Sequence, residues 1–321
     1  MNPLTALYGG VTALRNSMFD RGVLSSRRLE KPVVSVGNLS VGGSGKTPFV
    51  IALGGLLKAR GVQFDVLSRG YRRKTRGVLI GEADGKAADF GDEPLLIARR
   101  LGVPVIVGEN RYEAGRVAEQ KFQSQLHILD DGFQHRSLGR DFDIVLMTEG
   151  DFDDKLLPSG RLREPLSSLH RADAIVLPQV FSGHDVEIKN FASPGKSVWR
   201  MSRQISIPAA PVAPIVFCGI ARPQQFFAQV RAAGVTPAAE VEFRDHHAYN
   251  RMDIERLLSM RGKLSAGGVL TTEKDAVNLE SLSLQADLKP FAVAVLSLTL
   301  DHPTEVVDAI LARIAERKPR S

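Results

Sequence analysis

Apolar residues recur at steps of three and four over residues 3–24, where Leu4, Leu7, Val11, Leu14 and Met18 form one stripe of a helix. Asn2 stands at the cap position and Pro3 at the first helical position, a helix-start signal. Gly9 and Gly10 weaken this segment. The texture then changes to short, continuous, β-branched runs: KPVVSVG at 31–37, VQFDVLSRG at 62–70, VPVIVGENR at 103–111, LHILDDG at 126–132, FDIVLMT at 142–148 and ADAIVLPQ at 172–179. Helical stretches separate several of them, the first running through FVIALGGLLKARG. Runs of this length, apolar on both faces and alternating with helices, predict a parallel sheet covered on both sides. Ligands of such sheets gather at the carboxyl ends of the strands.

From about 180 to 214 the pattern fades, and PAAPVAP at 208–214 reads as a linker. IVFCGIARPQQFF (215–227) then reads strand, loop, helix, and GGVLTTEKDAVNL (267–279) repeats the plan. FAVAVLSLTL (291–300) is a last strand, and PTEVVDAILARIAERK (303–318) a closing amphipathic helix. The expected class is therefore α/β. An N-terminal amphipathic helix region spans 1–30, a mainly parallel sheet with helices on both faces 31–205, and a smaller second α/β domain 206–321.

Composition narrows the partners. The 321 residues carry a net charge of +6, which favours anionic ligands such as nucleotides, acidic lipids or phosphorylated substrates. Cys218 is the single cysteine, so no intrachain disulfide forms and a reducing compartment is expected. No run of about 18 apolar residues is present, and the N-terminus lacks the layout of a signal peptide. Aromatic residues make up 6% with no stacking motif, which argues against nucleic acid. Residues 1–31 hold Arg15, Arg21, Arg27, Arg28 and Lys31 against Asp20 and Glu30. The N-terminal stripe thus has two readings, a helix lying on an anionic membrane surface or one packed on its own domain.

The candidate chemistry begins at NLSVGGSGKTPF (38–49), a strand-to-helix glycine loop. A phosphate loop reads G-x-x-x-x-G-K-[ST], and here Ser40 replaces the first glycine. Gly42, Gly43, Ser44 and Gly45 supply the backbone N–H cradle, Lys46 the β- and γ-phosphate contact, and Thr47 the Mg²⁺ ligand. Such loops need an acidic partner on a neighbouring strand, and Asp130 and Asp131 close LHILDDG. Which of the two meets the metal stays open. Other polar groups cluster at strand ends: SRGYRRKTR (68–76), FGDEP (90–94), GENR (108–111), DGFQHR (131–136), PSGRLREP (158–165) and FRDHHAY (243–249). Asp92 is suited to a general base or to a helix cap. Of His246 and His247, one is suited to orienting a carboxylate, while the remaining histidines offer no ligand set.

Taken in order, SVGNLSVGGSGKTP, SRGY, GDEP, GENR, LDDGFQHR, GRLREP, DHH and TTEKDAV resemble the tetraacyldisaccharide 4′-kinase family across most of the chain. Ser40 is ordinary for that family's loop. The resemblance implies a P-loop NTPase-like fold and transfer of the γ-phosphoryl of ATP, with Mg²⁺, to the 4′-hydroxyl of a tetraacyldisaccharide 1-phosphate, giving lipid IVA in lipid A biosynthesis. It also implies a peripheral enzyme on the cytoplasmic face of the inner membrane, contacting lipid through the N-terminal helix. A monomer without nucleic acid is expected. By position the resemblance makes Asp92, His246, Asp131 and Lys46 catalytic, and His246 is favoured over His247. It makes Thr47, Asp130 and Glu164 metal-binding, and Tyr71, Arg111, His135 and Arg163 substrate-binding.

Two other loops look similar. Partitioning ATPases of the membrane surface place a lysine just before the paired glycines, where this chain has Val41. TTEKD resembles a GTPase base-reading motif, but Lys274 stands one place too late.

Overall fold

A computed structural model describes residues 2–191 and 195–317. Helix α1 (Pro3–Asp20) is followed by β1 (Val33–Asn38), α2 (Lys46–Ala59), β2 (Phe64–Ser68) and β3 (Leu79–Gly81). Next come α3 (Ala87–Phe90), α4 (Asp92–Leu101), β4 (Val105–Val107), α5 (Arg111–Lys121), β5 (Leu126–Asp130) and β6 (Phe142–Leu146). The chain continues through α6 (Glu149–Phe152), β7 (Ala174–Pro178), α7 (Asp185–Phe191) and β8 (Ser197–Ser206). The second lobe holds β9 (Ile215–Cys218), α8 (Pro223–Ala232), β10 (Ala239–Glu242), α9 (Arg251–Lys263), β11 (Val269–Thr272) and α10 (Glu273–Ser281). β12 (Phe291–Leu300) and α11 (Pro303–Ala315) complete it; residue 318, the end expected for that last helix, lies outside the described residues.

The strands form one twelve-stranded sheet in the order β10-β9-β11-β12-β8-β7-β6-β1-β5-β2-β4-β3. It is parallel except at β3 on the edge and at the β12–β8 pair. β12 joins the lobes: Phe291–Ala294 pair in parallel with β11, and Val295–Leu300 pair antiparallel with β8. Helices cover both faces. Phe49, Leu53 and Leu57 of α2 and Ile97 of α4 pack on Val34, Val36, Val66 and Ile128. Ala114 and Ala118 of α5 pack on Val33, Leu67, Ile106 and Leu129 on the opposite face. The second lobe repeats this, with α9 on one face and α8 on the other.

Three features depart from the pattern reading. β8 crosses the stretch assigned to loop and linker; its residues alternate between buried and exposed because its helix cover is one-sided. Helix α11 does not finish the second lobe: Val306, Val307 and Ile310 sit in the first lobe's core beside α2. Helix α1 is capped by Asn2 as expected, but its apolar stripe faces outward. Leu4, Leu7, Val11 and Leu14 are 60–65% exposed. The polar face docks instead: Thr5 Oγ1 meets Ser159 Oγ at 2.6 Å, Tyr8 donates to the Arg163 carbonyl, and Asn16 donates to Glu164. Among the described residues, no helix is long and apolar enough to cross a membrane.

Behind the sheet, His127 of β5 is fully buried between Asp65 (2.7 Å) and Glu119 (3.6 Å). Burial lowers its pKa, but hydrogen bonding to the two carboxylates outweighs this and raises it to about 9. A histidine raised above its unfolded value near 6.5 contributes stability that is fully present below that value and lost as pH rises through about 9. The melting temperature is therefore expected to fall between about pH 6.5 and 9, and His127→Asn to flatten the slope. Identical slopes in the two proteins would contradict this.

Candidate active site

The glycine loop joins β1 to α2, with Gly42 and Gly45 at φ of +103° and +90°. Gly45 also has no room for a side chain: a Cβ there would lie 2.6 Å from Arg203 Nη2, which donates to the Ser44 carbonyl. Ser40 is absent from the positive-φ positions and pairs antiparallel with Leu162, so a glycine is not needed there. The same pairing carries Arg163 to the loop, with Arg163 N–H donating to Leu39 O and Val41 N–H to Arg161 O.

The loop lines a cavity of about 570 Å³ between the lobes. At its floor, Lys46 Nζ donates to Asn38 Oδ1 at 3.0 Å and lies 3.4 Å from Asp131 Oδ1. Arg163 forks onto both Asp131 oxygens at 3.0 and 3.1 Å and also reaches Asn38. Burial in the cleft raises the Asp131 pKa, but Lys46 and Arg163 outweigh it and hold the carboxyl well below its ordinary value. Its neighbour Asp130 goes the other way, pushed up to about 7 by burial and by the charges of Glu93 and Asp131. Ser68 donates to Asp130 Oδ2 at 3.1 Å, and Oδ1 is buried with no hydrogen-bond partner.

Across the cavity, the second lobe delivers His246. Its Nδ1 lies 3.0 Å from Asp92 Oδ2, and Asp92 Oδ1 accepts from the Glu93 N–H. Burial raises the Asp92 pKa, but the His246 hydrogen bond and the Lys274 charge outweigh it, so the carboxyl lies below its ordinary value. Asp92 thus both starts α4 and faces the cavity. His246 is held at φ +55° by Arg72, which donates to the Asp245 and His246 carbonyls, and Tyr71 lies edge-on to its ring at 5.1 Å. Asp131 is likewise at positive φ, +52°. Such backbone strain clusters at functional sites. His247 points away, paired with Asp253 and packed on Phe243 and Tyr249.

The remaining expected residues divide. Arg111 is buried near Asp130 and Asp131, its pKa lowered by burial and by Arg69. His135 is lowered to about 4 by burial and by Arg111, Arg140 and Arg15, so its ring is neutral near pH 7. Neither lines the cavity itself. Glu164, expected as a metal ligand, does not line the cavity, yet its Oε1 is buried with no hydrogen-bond partner. It is 1% exposed, and its Oε2 accepts from Arg171 and Asn16. Through Oε2 its carboxylate anchors α1. Sequence reasoning missed Asn38, Ser68, Arg203 and Lys274; for Asn38 and Ser68 the signal available was a polar residue closing an apolar strand, whereas Arg203 lies inside β8 and Lys274 two places beyond β11.

The rest of the donor set fits a divalent ion. Asp130 offers an unpartnered buried oxygen, and the Thr47 hydroxyl lines the same cavity at the start of α2. Among the described residues no three His, Cys, Asp or Glu side chains form a metal cage, so phosphate and water oxygens would complete the coordination, the usual arrangement for Mg²⁺.

The chain is similar to known proteins along most of its length. The sequence profile of the family described as tetraacyldisaccharide-1-P 4′-kinase matches residues 1–315. A tetraacyldisaccharide 4′-kinase of Koribacter versatilis is 48% identical over 328 residues, covering 99% of both chains. One from Aquifex aeolicus is 39% identical, covering 87% of this chain and 89% of that one. The crystal structure of LpxK from Aquifex aeolicus in complex with ATP superimposes with a TM-score of 0.79 at 34% identity, covering 97% of this chain and 98% of that one. A phosphate loop facing a histidine-backed carboxylate, together with these full-length matches, means that the chain belongs to the tetraacyldisaccharide 4′-kinase family of phosphotransferases.

Proposed function

We propose that this protein transfers the γ-phosphoryl group of ATP to the 4′-hydroxyl of a tetraacyldisaccharide 1-phosphate at the cytoplasmic face of the inner membrane, acting as a peripheral monomer. The observation that carries the reading is the shared cavity, where Lys46 and the glycine loop oppose the Asp92–His246 pair. A partitioning ATPase has no use for a base aimed at an acceptor alcohol.

Phosphoryl transfer is mainly positioning plus stabilisation of charge on the transferred group. The loop N–H groups and the α2 N-terminus receive the phosphates. Lys46 and Arg163 supply positive charge, and Asn38 and Asp131 hold both side chains in place. Asp130 and Thr47 would hold Mg²⁺, which supplies charge neutralisation at the phosphate oxygens. A sugar hydroxyl is a poor nucleophile at pH 7. Asp92, oriented by the His246 N–H, accepts its proton as the oxygen–phosphorus bond forms. Tyr71 and Arg69 line the same cavity as this carboxylate and suit a phosphorylated sugar, with Arg111 buried behind them near Asp130 and Asp131.

The outward stripe of α1 meets the acyl chains and the bilayer surface, while the basic side chains around it meet anionic headgroups. Leu7→Asp combined with Val11→Asp is expected to abolish sedimentation with anionic vesicles and to lower activity on vesicle-borne substrate. The melting temperature should be unchanged, because neither side chain packs in the fold. Undiminished vesicle binding would remove the helix from this role.

The activity is tested by incubating the protein with γ-labelled ATP, Mg²⁺ and the tetraacyldisaccharide 1-phosphate in detergent. Label should enter the lipid. Label found solely in inorganic phosphate would contradict the reading.

A further inference from the structure

Lys274 is the second residue of α10, and its side chain is largely buried against α4. Its Nζ lies 3.1 Å from His246 Nε2, 3.2 Å from Glu93 Oε1, 3.7 Å from Asp245 Oδ1 and 3.8 Å from Asp92 Oδ2. Burial lowers the lysine pKa, but the three carboxylates outweigh it and raise it, so the group is an ammonium at neutral pH. An ammonium has three donors and no acceptor. Facing it at hydrogen-bond distance, His246 Nε2 must present its lone pair. The proton of a neutral ring then sits on Nδ1, aimed at Asp92 Oδ2.

We propose that Lys274 is a positioning residue that fixes the tautomer of His246 and thereby leaves Asp92 as the sole proton acceptor for the lipid hydroxyl. The proposal rests on the reading of Asp92 as the base. In the step, the substrate O–H bond breaks as the new O–P bond forms. The bond from Pγ to the bridging oxygen breaks, and its electron pair leaves with ADP. The proton passes to the Asp92 carboxylate and stays there, because neither ring nitrogen of His246 has a free lone pair to take it onward. The histidine serves as a fixed N–H donor to the carboxylate and carries no proton between groups.

The geometry also explains the acidic residues around this point. Glu93 accepts from Lys274, and Asp245, 3.7 Å away without a hydrogen bond, helps to compensate its charge, while Arg72 holds the 245–246 turn from outside. The TTEKD segment thus acts from the carboxyl end of β11 on the carboxylate that opens α4.

The test is the tautomer of His246 in the full-length protein labelled with ¹⁵N-histidine, read by long-range ¹H–¹⁵N correlation, with His246→Gln identifying the ring. The expected result is a protonated Nδ1 and a bare Nε2. A proton on Nε2 overturns the proposal. Lys274→Met should lose the bare-Nε2 signature and lower kcat about 10–100-fold at unchanged KM for ATP, by analogy with the partners that orient metal-bound imidazoles. Lys274→Arg, which keeps a cationic donor, should restore the tautomer and part of kcat. A Lys274→Met protein with the wild-type tautomer likewise overturns the proposal. Failure of the base reading is distinguishable: full kcat in Asp92→Asn would remove the base and leave the tautomer result standing.

Discussion

Replacing Asp92 by asparagine is expected to lower kcat by about 10²–10⁴-fold, the usual contribution of a positioned base. The amide is isosteric, but Asp92 gives one oxygen to the Glu93 N–H and the other to the His246 ring, so the single amide oxygen keeps one of these contacts and folding is checked by the melting temperature. What disappears is a group able to take the proton of the acceptor hydroxyl. ATP affinity should change little, because no hydrogen bond or ion pair links Asp92 to the phosphate loop. His246→Ala should also depress kcat, through loss of the N–H that orients the carboxylate. The two changes should be far from additive, since both disable one unit. Steady-state kcat and KM for both substrates check this: an Asp92→Asn enzyme with wild-type kcat, or a double variant with multiplied losses, would contradict the assignment.

Lys46→Ala carries the second large effect. Its ammonium lies at the floor of the cavity, held by Asn38 and Asp131 at the first turn of α2. There it meets phosphate oxygens whose charge shifts as the γ-phosphoryl moves. Removing one such preorganised donor costs on the order of 10²–10³ in kcat, and ATP binding should weaken as well. The fold should survive, because Arg163 still pairs with both Asp131 and Asn38 after the truncation. Single-turnover transfer and ATP titration separate the two losses. Transfer within a few-fold of wild type would show that Lys46 does not face the phosphates.

The parts of this architecture that the sequence reveals are those governed by local rules. β1, the glycine loop and α2 follow from an apolar run, glycines and a helix start in immediate succession. Asp130 and Asp131 stand out because two charges end a fully buried strand. The Asn2 cap and Pro3 locate the start of α1 to the residue, though the helix ends at Asp20, short of the 3–24 stretch, and its amphipathic pattern does not say which face turns inward. That depends on Ser159, Arg163 and Glu164, some 150 positions away, which offer polar partners to Thr5, Tyr8 and Asn16. β8 was hidden because its mixed sequence makes sense only beside β12, its antiparallel partner nearly a hundred residues later. α11 has the same stripe whichever lobe it covers, and only the path of β12 back to β8 returns it to the first core. The Arg171 and Asn16 partners of Glu164 are not legible in its motif, because an acidic residue looks alike there whether it faces a cavity or an arginine. Lys274 went unrecognised because its partners, His246 and Glu93, come from two different lobes.

The most direct test of the account is where the transferred phosphate ends up. The lipid product of a preparative reaction, analysed by two-dimensional ³¹P–¹H correlation, should show a second phosphomonoester coupled to the proton on C4′, with the original 1-phosphate unchanged. A diphosphate built on the 1-position, or a phosphate on any other hydroxyl, would place the acceptor away from the Asp92 carboxylate and contradict the central claim.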